Sequence, residues 1–393
     1  MNLFYKLASP RTVAGVLICL VLRCPGCDGE TPHIRANTQA ALFAQRGQRV
    51  LQTTLRLFRP RGSPRMVEKI PAWHADRGPA FEFQSAFAWP QSIELLMLAA
   101  ATEYNSAHAP LLKSFVGTLG PYWRMHHGIG GYGDVVAPGP LHRYYDDNEW
   151  MTWGFLRAFQ ATHDPQYLEQ AQATFRFVLS GESPRLGGGI FWLEQNRNSK
   201  NTCSNAPAIV DALKLYRATR QKRYLQTAQR LYKWVNRRLL DRRDHLYFDH
   251  IDLTGRIDRT KWSYNTAAMI IANCQFYRIT PKSVFLRRAE QLALAAQKRW
   301  VNSTTGAISN PGAFAWVLIT AFVRLNQYDK QGKWGNLAVR VMNFVWEHCT
   351  DGHGLYGSAW DHPPKRNRPL RLIDQAAVGE SYFELADRLR PVR

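Results

Sequence analysis

Tyr144–Tyr145–Asp146–Asp147–Asn148–Glu149–Trp150 is the densest run of chemistry-bearing side chains in this sequence. Two carboxyls side by side are what cleavage of a glycosidic bond requires: one protonated to release the leaving oxygen, one charged to meet an oxocarbenium-like carbon. Neighbouring carboxyls also raise each other's proton affinity, which keeps a proton available near neutral pH. Adjacent residues can hold their carboxyls near the roughly 5 Å separation of a retaining mechanism. The same residues also describe a helix start. Asp146 stands three residues before Glu149, as in a capping box, and Asp147 can cap the same turn. Spacing alone leaves both readings open.

The elements that must position this run are helices. Met151–Thr162 reads as one helix and Tyr167–Leu179 as the next, with Leu168, Ala171, Phe175 and Val178 at the three-and-four spacing of a single buried face. Asp164–Pro165 supplies an N-cap and a first-turn proline between them. This pattern recurs. Phe159–Thr162 with Tyr167–Leu168 and Ala171 returns as Tyr216–Thr219 with Tyr224–Leu225 and Ala228, then as Tyr277–Thr280 with Phe285–Leu286 and Ala289. Looser copies occupy Glu103–Phe115 and Trp334–Val345. A period of roughly 50 to 60 residues holds two helices and two loops.

With further helices at Thr38–Phe58 and Gln375–Leu389, the length fits six helical hairpins. Hairpins of this size stack as an open solenoid or close on themselves. The long Gly- and Trp-rich loops recur between hairpins, which favours closure. The expected fold is therefore all-α, an (α/α)6 barrel of six helical hairpins with its loops gathered into a cleft at one end. A single catalytic domain is expected over residues 37–393, and strand signals are confined to loops such as Gly189–Trp192.

Composition narrows the function classes. The 393 residues include 13 Trp and 16 Tyr, the aromatic excess that sugar-stacking sites consume and that helical cores also bury. Net charge is +21, from 51 Lys plus Arg against 30 Asp plus Glu. The basic residues are scattered in pairs such as Arg237–Arg238 and Arg287–Arg288, without the block or motif of a nucleic-acid binder. A solvated helix surface accounts for them, and an anionic glycan is the partner such a surface can attract.

The 12 histidines complete no metal-binding pattern, and neither a Gly-x-Ser-x-Gly elbow nor a phosphate loop is present. Lys6 and Arg11 precede an apolar run, Val13–Leu22, too short to span a membrane. Residues 1–27 are expected to be an export signal, giving a secreted or periplasmic protein with no transmembrane span in the mature chain; Cys27 offers a weak lipidation site. Cys203, Cys274 and Cys349 would remain, an odd number.

Four motifs stand in the order and spacing of one known family: Tyr145–Asp146–Asp147–Asn148 with Trp150, Gly187–Trp192, Lys200–Asn205, and Trp262–Asn265. From about residue 80 to 280 the sequence resembles glycoside hydrolase family 76, the endo-α-1,6-mannanases. The resemblance implies an (α/α)6 barrel, α-mannan as substrate, retention of configuration, and no metal or other cofactor. It also implies that Asp146 is the nucleophile and Asp147 the general acid/base, an assignment that spacing cannot make.

The candidate substrate-binding set is Trp89, Tyr145, Asn148, Trp192, Asn201, Asn205, Trp262, Tyr264 and Asn265. Its indoles can stack sugars, and its amides offer donor and acceptor atoms to hydroxyls. Two departures from the family pattern bear on substrate subsites. Tyr264–Asn265–Thr266–Ala267 replaces the usual Tyr-Asn-Gln-Gly in what reads as a cleft loop, and Thr202–Cys203–Ser204 replaces a more apolar run. A related helical-barrel epimerase or uronyl hydrolase, and a non-catalytic glycan-binding protein, are the competing readings.

Overall fold

The computed structural model describes residues 32–71 and 85–390. The expected export signal at 1–27 and Cys27 lie outside the described residues. Twelve α-helices account for most of the described chain: α1 (Pro32–Phe58), α2 (Ala88–Tyr104), α3 (Ala109–Gly117), α4 (Tyr145–Thr162), α5 (Pro165–Ser180), α6 (Ala206–Thr219), α7 (Lys222–Arg238), α8 (Ser263–Ile279), α9 (Ser283–Trp300), α10 (Gly312–Asn326), α11 (Lys333–His348) and α12 (Leu372–Leu389).

Two patterns of burial sort these helices into two layers. In α8 every residue from Ser263 to Phe276 is buried, which requires neighbours on all sides. In α7 burial is confined to Tyr224, Thr227, Ala228, Leu231, Tyr232, Trp234 and Val235, the stripe of a helix with one face in solvent. The even-numbered helices form the inner ring, each packed on the next, and α12 closes it against α2. The fold is the expected (α/α)6 barrel. Its sixth hairpin is assembled from the two ends of the chain, because α12 pairs with α1.

The hairpin turns follow from local chemistry. Asp164 accepts a hydrogen bond from the Gln166 N–H at 3.0 Å and caps α5, with Pro165 in the first turn. His163 and Arg220, at equivalent places in successive repeats, both adopt left-handed φ values near 60° and end α4 and α6. One non-glycine residue in that conformation lets the chain reverse in two residues.

The two ends of the barrel differ in chemistry. At the C-terminal ends of the inner helices, Arg157 of α4 bonds Glu103 at 3.1 Å and both Glu380 and Glu384 at 2.7 Å. Arg324 of α10 reaches Glu384 at 2.9 Å. These paired charges tie four inner helices together and close that end. At the opposite end lie the N-termini of the inner helices and the long loops. Every strand is short and belongs to a loop, including the sheet in which Ser199–Asn201 pairs with His250–Asp252 and that strand with Ile257–Asp258.

Candidate active site

The first turn of an inner helix points its side chains toward the open end of the barrel. Trp89 from α2, Asp146 and Asp147 from α4, Tyr264 from α8, Phe314 from α10 and Ile373 from α12 therefore converge, and Cys203 joins them from the turn preceding α6. Together with the loops they enclose a cleft of about 1010 Å³. This is the upper end of the size range of small-ligand sites.

Asp146 and Asp147 occupy the second and third positions of α4, whose N-cap is Tyr144, with no side-chain cap bond. Neither carboxyl belongs to the N-cap residue itself. Their surroundings differ. Burial pushes Asp146 up to about 6, and three kinds of donor restrain it: the Cys203 thiol, the Trp192 indole and backbone N–H groups of the helix start. The indole Nε1 lies 3.1 Å from Asp146 Oδ2. Asp147 is pushed well up by burial and then by the negative charges of Asp146 and Asp134. Of the pair, Asp147 holds its proton more firmly.

An aromatic wall faces the acids. Phe314 stacks on Tyr264 with ring centroids 4.4 Å apart and an interplanar angle of 11°, and on Trp89 at 5.7 Å. Trp262 leans on the same phenyl ring at 5.2 Å. Trp192 is 38% exposed and packs tilted against Tyr144, also in the cleft, at 5.0 Å. Flat apolar faces beside paired acids are suited to a sugar ring.

Comparison with known proteins assigns the architecture. Residues 125–314 match the family profile of glycosyl hydrolase family 76. A GH76 α-mannanase from Bacteroides thetaiotaomicron superposes with a TM-score of 0.82 at 27% identity, covering 90% of this chain and 98% of that one. In its central half and in its fold the chain is similar to family 76 proteins.

Among curated relatives, the mannan endo-1,6-alpha-mannosidase DCW1 of Saccharomyces cerevisiae is 24% identical over 198 residues, 42% of this chain and 44% of the yeast protein. The matched stretch spans less than half the length of the curated relatives. An inactive double-aspartate variant of the α-1,6-mannanase GH76A of Salegentibacter sp. HEL1_6, in complex with α-1,6-mannotetrose, shares the fold with a TM-score of 0.73 at 22% identity, over 88% of this chain and 99% of that one.

The sequence-derived set divides. Asp146, Asp147, Trp89, Trp192, Asn201, Trp262 and Tyr264 line the cleft. Tyr145, Asn148, Asn205 and Asn265 do not, and three of these have their polar groups occupied behind the wall. Tyr145 stacks on Phe177 at 4.9 Å and accepts from Arg197 at 3.1 Å. The Asn148 amide bonds the N–H and carbonyl of Tyr132 at 2.7 and 2.9 Å. The Asn205 amide does the same to Ile190 at 2.8 and 2.9 Å. Both asparagines fasten a cleft loop to a helix start. Asn265 is fully buried, and neither polar atom of its amide has a hydrogen-bond partner.

One further expectation changes. Thr266 and Ala267 lie inside α8, not in a loop; both are buried, and Thr266 Oγ1 accepts from the Tyr247 N–H at 3.3 Å. Gly187–Gly189 do not line the cleft. Their φ values are +76°, +125° and +86°, and a Cβ on Gly189 would fall 2.7 Å from Trp234, so the triplet serves close packing on α7.

Several cleft residues escaped the sequence reading, among them Asp134, Tyr144, Asp249, His250 and Phe314. Phe314 was within reach of it, since it follows Gly312 at the start of a repeated inner helix. Asp249 and His250 carry no local signal. The pairing of His250 with Asp258 across two strands creates a trio with Asp249 whose ligand-type atoms lie within 4.8 Å of one another. Within it His250 Nδ1 and Asp249 Oδ2 are 2.8 Å apart, and Asp258 accepts from the Thr260 N–H at 2.8 Å. All three cysteines of the described chain are buried and free.

Proposed function

We propose that this chain hydrolyses α-mannan, at α-1,6-mannosidic bonds, with retention of configuration. The observation that carries the reading is the pair Asp146–Asp147 lining the cleft with unequal proton affinity. Asp146, restrained by three kinds of donor, is the carboxylate that attacks the anomeric carbon. Asp147, the more basic group, gives its proton to the departing oxygen as the C–O bond breaks. It then takes a proton from the water that hydrolyses the glycosyl ester on Asp146. The family 76 match over residues 125–314 and the mannosidase names of the relatives support the choice of α-mannan.

Trp89, Trp262 and Tyr264, gathered on Phe314, form the stacking wall for the mannose rings, and Trp192 and Asn201 complete the subsites. Tyr145, Asn148 and Asn205 act behind them by fixing the loops. An exported location suits a polymeric substrate, and the net charge of +21 suits a mannan bearing anionic groups. Among the described residues no helix is long and apolar enough to cross a membrane.

The test is incubation of the protein with α-1,6-mannan and α-1,6-mannotetraose, with products followed by chromatography and the first-formed anomer by NMR. Shorter oligosaccharides of α configuration are expected. An initial β product would overturn the double displacement. No product from folded protein would overturn the α-1,6-mannan assignment and favour a glycan-binding role.

A further inference from the structure

A second cavity, of about 380 Å³, opens between α7, α9 and the loop hairpin Leu240–Asp241/Leu246–Tyr247, on the flank of the barrel. It shares no lining residue with the cleft. The segment Tyr247–His250 separates the two: Tyr247 faces the flank cavity, while Asp249 and His250 face the cleft.

The floor of this cavity is polar and fixed. Tyr232 Oη donates to Asn273 Oδ1 at 2.8 Å, and Tyr247 Oη donates to Asn236 Oδ1 at 2.9 Å. Each asparagine spends its amide nitrogen on a carbonyl of its own helix, at 2.7 and 2.8 Å. Tyr247 Oη and the two amide oxygens keep lone pairs for hydroxyl groups, while Tyr232 Oη already accepts from Arg288. Leu240 and Leu292 supply apolar wall.

Its charge is one-sided. Arg242 and Arg288 line the cavity, and Arg288 Nη1 reaches Tyr232 Oη at 3.1 Å. The nearby acids are engaged elsewhere: Lys261 holds Asp241 at 2.7 Å and Asp244 at 2.6 Å, and Arg243 holds Asp241 at 3.1 Å. Among the described residues neither Arg242 nor Arg288 has a carboxylate within ion-pair distance. Two guanidiniums without a counter-charge, above a preorganised floor of hydroxyl-binding oxygens, match a ligand with one anionic group on a polyhydroxylated ring. The volume suits one such ring, being near the lower limit for small-ligand sites.

We infer that the flank cavity is an accessory binding site for a single sugar unit bearing an anionic group, a phosphate or a carboxylate. The guanidiniums take the anion, and the Tyr–Asn pairs take the ring hydroxyls. The site stands independently of the hydrolytic reading, because its occupancy is a matter of binding alone.

Isothermal titration calorimetry tests it with mannose 6-phosphate, glucuronate, mannose and inorganic phosphate. The proteins are wild type, Arg242→Gln/Arg288→Gln, and Asp146→Asn as a cleft control. Mannose 6-phosphate or glucuronate is expected to bind one site, about tenfold or more tighter than mannose or phosphate. The double variant should lose at least about tenfold in affinity, and the cleft control should lose none. Preference between the two anionic sugars identifies the source of the charge. Binding of neither, binding unchanged in the double variant, or phosphate alone binding as tightly would each overturn the proposal. Circular dichroism of the double variant separates lost binding from lost fold.

Discussion

The indole Nε1 of Trp192 donates to Oδ2 of Asp146 at 3.1 Å, so a residue suited to stacking sugar also stabilises the ionised form of a carboxyl. Cys203, from the turn before α6, restrains the same group. Trp192→Phe and Cys203→Ala each remove one donor and are expected to raise the proton affinity of Asp146. The acid limb of the pH–rate profile should then move to higher pH, whereas Cys203→Ser, which keeps a donor, should leave it nearly in place. Coincident acid limbs for wild type and both donor-deletion variants would refute the role of these contacts.

The pH profile itself follows from the two surroundings. Activity needs Asp146 ionised and Asp147 protonated, so it falls below about pH 6 as Asp146 takes up a proton. On the alkaline side it falls as Asp147 loses one. The limbs belong to the pair as a whole, since the groups interact. A profile still rising as pH drops well below 6 is the outcome that contradicts this assignment.

Substitution separates the roles. Asp147→Asn is expected to slow mannan hydrolysis by about 10²- to 10⁴-fold. It should spare the first step for an aryl mannoside whose leaving group needs no proton. Asp146→Asn should abolish turnover of both substrates. Burst kinetics with the aryl substrate read the difference, and equal losses on both substrates in Asp147→Asn would reverse or dissolve the assignment.

Phe314 supports three aromatic neighbours at once. Phe314→Ala is expected to cost about 2–4 kcal/mol of stability, at the lower part of the range for large-to-small aromatic changes because the ring is only partly buried. It should also raise KM by about tenfold, corresponding to about 1.4 kcal/mol. Chemical denaturation and initial rates measure the two effects. An unchanged KM would remove Phe314, and with it the stacking wall, from substrate binding.

Glu94 of α2 is fully buried, and neither carboxyl oxygen has a hydrogen-bond partner. Burial raises it from 4.5 to about 8. In this interval the folded chain keeps a proton that the unfolded chain has released, so stability falls as pH rises from about 4.5 to about 8. Glu94→Gln removes this dependence. Its stability relative to wild type should improve by at most about 1.4 kcal/mol per pH unit across the window. Melting curves between pH 5 and about 8 that stay parallel for the two proteins would exclude a protonated Glu94.

Much of this fold was open to sequence reasoning because helices are local objects. The three-and-four spacing in Tyr167–Leu179, the Asp164–Pro165 start and the recurrence of Tyr-Leu-x-x-Ala fixed helix type, hairpin length and hairpin number. Adjacency also made Asp146–Asp147 visible as two acids in one helical turn, although consecutive side chains of a helix diverge and only the cleft brings both to one site. The same repeat could have located Phe314, which stands in the first turn of α10 as Tyr264 stands in the first turn of α8.

What the sequence could not decide depended on which surfaces meet. Nothing local distinguishes Asn201, which faces the cleft, from Asn205 four residues on, whose amide is taken up by Ile190 behind the wall. Asp249 and His250 enter the cleft only because their strand pairs with Ser199–Asn201. The unequal proton affinities of Asp146 and Asp147 likewise come from Trp192, Cys203 and Asp134, which lie distant in the chain. Local spacing sets what an element is; burial, counter-charges and hydrogen-bond partners are properties of neighbours, and only closure of the ring determines those.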